Sequence, residues 1–70
     1  MTGIAKVIEI IGTSEKGWTE AVQATLDEAK MTINRITGLE VLDKTAKVDP
    51  TSGQITEYRV GVKIAFGVEH

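Results

Sequence analysis

The sequence predicts an α+β domain of β-α-β-β order, and three observations carry that expectation. Residues 4–11 (IAKVIEII) are rich in β-branched side chains and run up to Gly12, which reads as a strand. Apolar residues then recur by threes and fours at Trp18, Ala21, Val22, Leu26, Ala29, Ile33 and Ile36, the stripe of an amphipathic helix. Near the C-terminus the alternation is unbroken. Tyr58, Val60, Val62, Ile64, Phe66 and Val68 share one face; Glu57, Arg59, Gly61, Lys63, Ala65 and Gly67 share the other, the period of two that a strand imposes.

In the first strand Ile4, Ile8 and Ile10 lie on one face, and Ala5, Val7 and Ile11 lie with Glu9 on the other. A strand apolar on both faces is covered on both, and one helix covers only one of them. Thr13 and Ser14 offer hydroxyl N-caps ahead of Glu15, an acid at the end the helix dipole favours. The helix is expected over residues 15–35, with Gly38 available for the turn that ends it. Residues 39–49 (LEVLDKTAKVD) and 54–68 (QITEYRVGVKIAFGV) form the second and third strands. Between them Pro50-Thr51-Ser52-Gly53 is a turn, in which proline presets φ and glycine supplies a positive one. A right-handed crossover makes the first two strands parallel, and the third, tied to the second by the hairpin, lies between them and antiparallel to both. The helix covers one face of this three-stranded sheet. The other is bare and partly apolar, which marks an interface.

The length, 70 residues, makes one domain spanning 1–70, and so short a chain buries only about 60% of its unfolded surface. Small domains make up the shortfall with disulfides, metals or partner subunits. There is no cysteine and the one histidine is His70, so self-association is the expected staple. A net charge of −2 with no two basic residues adjacent argues against a nucleic-acid partner. No basic, apolar leader opens the sequence, and no apolar run reaches the roughly 20 residues that span a bilayer. The expectation is a cytoplasmic protein with no membrane partner. No Ser-His-Asp, Cys-His or paired-carboxylate arrangement at catalytic spacing is visible, so an enzyme is not expected.

The segment Lys6-Val7-Ile8-Glu9-Ile10-Ile11-Gly12-Thr13-Ser14-Glu15 resembles the opening of the dodecins. The match continues through Trp18, Ala21 and Val22, Leu39-Glu40-Val41, Tyr58-Arg59-Val60 and Lys63-Ile64-Ala65-Phe66, covering nearly the whole chain. The resemblance implies a homododecameric hollow shell, helices outward and bare sheet inward, that stores flavin (FMN or riboflavin) rather than acting on it. In flavin-binding members a tryptophan after the helix stacks on the ring and a glutamine in the last strand bonds its edge; a bacterial subset adds an arginine downstream of the tryptophan. The matching positions here are Gly38, Arg59 and Thr45, and none carries the family's residue. Glycine offers no stacking surface, and arginine has donors only, although its guanidinium can stack on a ring or grip an anion. A branch without the tryptophan is associated with calcium, and this sequence looks closer to that branch.

Trp18 reads as core or interface packing, since it precedes the family's stacking position. Arg59 either touches a ligand or pairs with Asp43, which a regular hairpin would place opposite it; Glu57 and Lys63 flank it on the same face. Glu9, Glu40, Asp43, Asp49 and Glu57 could hold calcium where copies meet, because calcium takes 6–8 oxygens and no loop here clusters ligands. Gly12-Thr13-Ser14 lacks the lysine and further glycines of a phosphate-binding loop and reads as helix capping.

Overall fold

The computed structural model describes residues 4–67. Val68 and His70 lie outside them. Strand β1 (Ala5–Ser14) leads into helix α1 (Trp18–Lys30), then β2 (Ile36–Val48) and β3 (Ile55–Gly67). The sheet order is β1-β3-β2, with β3 antiparallel to both neighbours, as expected of the crossover and the hairpin.

Two boundaries move. β1 does not stop at Gly12, because β3 is long enough to keep pairing: Gly12, Thr13 and Ser14 lie opposite Val60, Arg59 and Tyr58. Thr13 and Ser14 are therefore strand residues and not helix caps. The N-cap is Gly17, with no side-chain capping bond, while the Ser14 hydroxyl accepts from the Lys16 amide at 3.0 Å. The helix has 13 residues and is shorter than expected at both ends. Thr32 and Ile33 still donate to the Ala29 carbonyl at 3.2 and 2.9 Å. Then Arg35 takes a left-handed conformation, φ 63°, and turns the chain into β2. Ile33 and Ile36 do pack against the core, but from the connection and the strand, so a helical period carried on past the helix itself.

Ala21 and Ala29 of α1 form one buried cluster with Val60, Val62 and Ile64 of β3, with Ile8, Ile10, Trp18, Val22 and Leu39 packed around them; Thr25 of α1 is buried over Gly12 of β1. The alternation in β3 thus points its apolar face at the helix. At the hairpin tip Gly53 has φ 73° and donates to the Asp49 carbonyl at 2.8 Å. The Asp49 carboxylate accepts from the Thr51 amide at 2.8 Å.

This core does not close the molecule. The chain measures 57 × 20 × 13 Å with a radius of gyration of 14.8 Å, against about 11 Å for a compact domain of this length. Its accessible surface is 5236 Å², where roughly 4,300 Å² is usual for the mass. Apolar side chains on the face away from the helix contribute to it, Val7 being 51% and Ile11 71% exposed.

Candidate ligand-binding site

Residues opposite one another in register share a face, so the bare face reads as rows across the sheet. Val7, Ala65 and Gly38 form one row; then come Glu9, Lys63 and Glu40; then Ile11, Gly61 and Asp43; then Thr13, Arg59 and Thr45. Between Val41 and Asp43 the register slips, and this bulge adds Leu42. Glu9, Ile11, Leu42, Asp43, Thr45 and Arg59 line an open hollow of about 500 Å³ over the lower rows.

The register corrects one expectation. Asp43 does not face Arg59; after a slip between Lys47 and Val48, beside the hairpin, Thr45 lies opposite Arg59 and Asp43 opposite Gly61. The Asp43 carboxylate folds over Gly61 and accepts from its amide at 3.1 Å. A Cβ on residue 61 would lie 2.7 Å from that carboxylate oxygen, so glycine is what lets Asp43 lie flat. Arg59 turns instead to Glu57: its guanidinium is 3.8 Å from Glu57 Oε2, and Lys47 Nζ is 3.6 Å from the same oxygen. Lys63 stands apart from that group, in its row with Glu9 and Glu40.

Of the three positions matched to the family's ligand contacts, Thr45 and Arg59 come together directly across β2 and β3. Gly38 does not join them. It faces Ala65, six residues along β3 from Arg59, about 20 Å at the usual strand rise. Nor does it form the turn after the helix, a role that falls to Arg35. Within one copy Gly38 and Arg59 cannot touch the same ring. The five carboxylates considered for calcium are likewise spread out. Glu9 and Asp43 line the hollow, Glu40 faces Lys63, Asp49 holds the hairpin tip and Glu57 meets the two cations. Among the described residues no three metal-ligating side chains cluster.

On the helix side, Trp18 packs edge-on against Tyr58, with centroids 4.8 Å apart and an interplanar angle of 81°. Its indole N–H donates to the Thr45 carbonyl at 3.0 Å. Packing was expected of Trp18; this bond was not. Leu42 is a lining residue that alternation alone does not place there, although Val41-Leu42 sets two apolar residues side by side in an alternating strand, the trace a bulge leaves. No helix among the described residues is long and apolar enough to cross a membrane.

The family model described as Dodecin matches residues 4–69. The chain belongs to the dodecin family. It is 30% identical over 69 residues to a dodecin of Thermus thermophilus, covering 99% of this chain and 97% of that one. It is 33% identical over 63 residues to the calcium dodecin of Mycobacterium tuberculosis, covering 90% and 86%. A crystal structure of a Thermus thermophilus dodecin variant superposes with a TM-score of 0.91 at 29% identity, covering 99% of this chain and all of that one. The crystal structure of the Mycobacterium tuberculosis calcium dodecin, described as calcium-chelating, gives 0.79 at 30% identity, with 94% and 91% covered. The β-α-β-β subunit is thus the dodecin fold.

Proposed function

We propose that residues 1–70 are one domain and one subunit of a homododecameric dodecin-type shell, which stores a small ligand and does not transform it. The observation that carries this reading is the bare sheet face, on which Val7 and Ile11 are exposed and Ile11 lines the hollow. A chain this extended gains by covering that face with copies of itself, since apolar surface is worth about 25 cal/mol per Å² removed from water.

The ligand class that fits best is a flavin, held weakly. Thr45 and Arg59 would meet it from one copy and Gly38 from another, because one chain keeps them apart. Glu9 and Asp43 add negative charge to the hollow, and Arg59 shares its charge with Glu57. Uncharged riboflavin is therefore preferred over FMN, whose phosphate would face those carboxylates. Light scattering tests the shell, and quenching of riboflavin fluorescence on titration tests the ligand. A monomer or dimer at micromolar concentration counts against the first, and no quenching by an assembled shell counts against the second.

One observation favours a calcium reading beside it, the 33% identity to a calcium dodecin. Calcium needs 6–8 oxygens, so a site here would draw carboxylates from several copies. Isothermal titration of the intact shell should then show heat that vanishes when the shell is dissociated.

A further inference from the structure

We infer that Trp18 is a positioning residue for the hollow on the opposite face of the sheet, an inference that rests on reading that hollow as the ligand site. Trp18 touches the chain at two places. Its indole N–H holds the Thr45 carbonyl at 3.0 Å, and its ring stands edge-on to Tyr58 at 4.8 Å. Thr45 lines the hollow, and so does Arg59, the residue after Tyr58. Successive strand side chains point to opposite faces, so Tyr58 faces the helix while Arg59 faces the hollow. One indole thereby holds the Thr45 backbone directly and touches the side chain of the residue before Arg59, at the place where Thr45 and Arg59 lie directly opposite each other.

The joint needs such a grip. β2 is an edge strand, with β3 on one side only, and a bulge loosens it just before Thr45. Helix α1 begins at Trp18 itself, with no side-chain cap, so the indole is a polar tie between helix start and edge strand. A shift of that tie moves Thr45 and the Tyr58–Arg59 backbone together, altering the spacing a ligand meets.

The test is Trp18→Phe, which keeps an aromatic ring for Tyr58 and deletes the N–H. On the assembled protein two quantities are read: amide hydrogen exchange along the strands, and the riboflavin dissociation constant from fluorescence quenching. Exchange should quicken selectively at residues 44–47 and 57–60. The dissociation constant should rise roughly three- to tenfold, the range one neutral hydrogen bond supports. That rise should disappear in an Arg59→Ala background, where the positioned contact is already gone. A Trp18 that only packs would lower the melting temperature while leaving the exchange pattern and the dissociation constant unchanged, and that result overturns the inference. If wild-type shells bind no riboflavin, the ligand reading of the hollow falls and the exchange pattern alone decides the positioning role. Should Trp18→Phe fail to assemble, benzothienylalanine at position 18 replaces the indole N–H by sulfur at nearly equal volume, and the same two outcomes decide.

Discussion

Thr25 of the helix stands in the space that a side chain at Gly12 would need. A Cβ on residue 12 would overlap the Thr25 hydroxyl and lie 3.0 Å from its Cβ and 3.3 Å from the Ala21 carbonyl. Thr25 is buried, and its hydroxyl donates to that carbonyl at 2.7 Å, so it cannot swing out to solvent. Gly12→Ala should push the helix off β1 and cost about 1–3 kcal/mol, the usual range for overpacking. Chemical denaturation measures it. Adding Thr25→Ala removes the clashing hydroxyl and should recover part of the loss. A Gly12→Ala protein as stable as the parent would show that the helix rides higher over the strand than described.

The same contact shows where the sequence was readable and where it was not. The alternation in β3 gave its buried face because a strand's period is set by the backbone alone. The bare face followed from arithmetic: one helix, two apolar faces on β1. Gly12 looks like a strand end in sequence because the reason for a glycine there lies 13 residues along the chain, at Thr25. The helical period outlasts the helix because Ile33 and Ile36 keep a helical spacing while packing from a loop and a strand. The partner of Asp43 depends on where the strands slip, and the slip between it and the hairpin, at Lys47 and Val48, shows only in the structure. Local period was legible; register and close approach depend on partners distant in sequence.

Assembly through the bare face should be sensitive to charge at its most exposed apolar residue. Ile11 is 71% exposed in the single chain, so Ile11→Lys costs the isolated subunit little. In the proposed shell the same lysine would be buried against a neighbouring copy, where an unpaired charge is expensive. Light scattering should find the large assembly lost or shifted to higher protein concentration. An Ile11→Lys shell that assembles like the parent would exclude this part of the face from the contact.

Charge in the hollow should set the choice between flavins. Glu57 Oε2 lies 3.6 Å from Lys47 and 3.8 Å from Arg59 but receives no hydrogen bond from either, a long pairing of the kind worth about 0.2–1 kcal/mol near a surface. Glu57→Gln frees both cations. FMN affinity should rise roughly two- to fivefold at low ionic strength, following that energy, and the gain should fade as salt screens it. Riboflavin, without a phosphate, should bind the variant and the parent alike. Parallel titrations of the two flavins at two salt concentrations check this, and an equal gain for both would mean that Glu57 acts through packing and not through charge.

Restoring a stacking surface is the most direct test of the ligand reading. Gly38 sits within β2, and its φ is not in the left-handed region, where Gly53 is found. The atom nearest to a Cβ added there is the Ala65 Cβ at 3.9 Å, an ordinary contact. Neither backbone strain nor a clash within the chain opposes Gly38→Trp, so the variant should fold. Stacking of a flat ring on an aromatic side chain is worth about 1–3 kcal/mol by analogy with nucleobases, so riboflavin affinity should rise roughly tenfold to hundredfold. Arg59→Gln adds an acceptor for the ring edge and a smaller gain, about 0.5–1.5 kcal/mol. The two positions lie about 20 Å apart along one chain, so they can act on one ligand only if different copies supply them. Mixed shells built from Gly38→Trp and Arg59→Gln subunits should therefore contain sites carrying both substitutions, some binding more tightly than sites in either uniform shell. Fluorescence quenching resolves such a class as an additional, tighter phase in the titration. If mixed shells show only the two phases of their parents, the residues do not meet across a subunit contact, and the ligand lies at one position or the other.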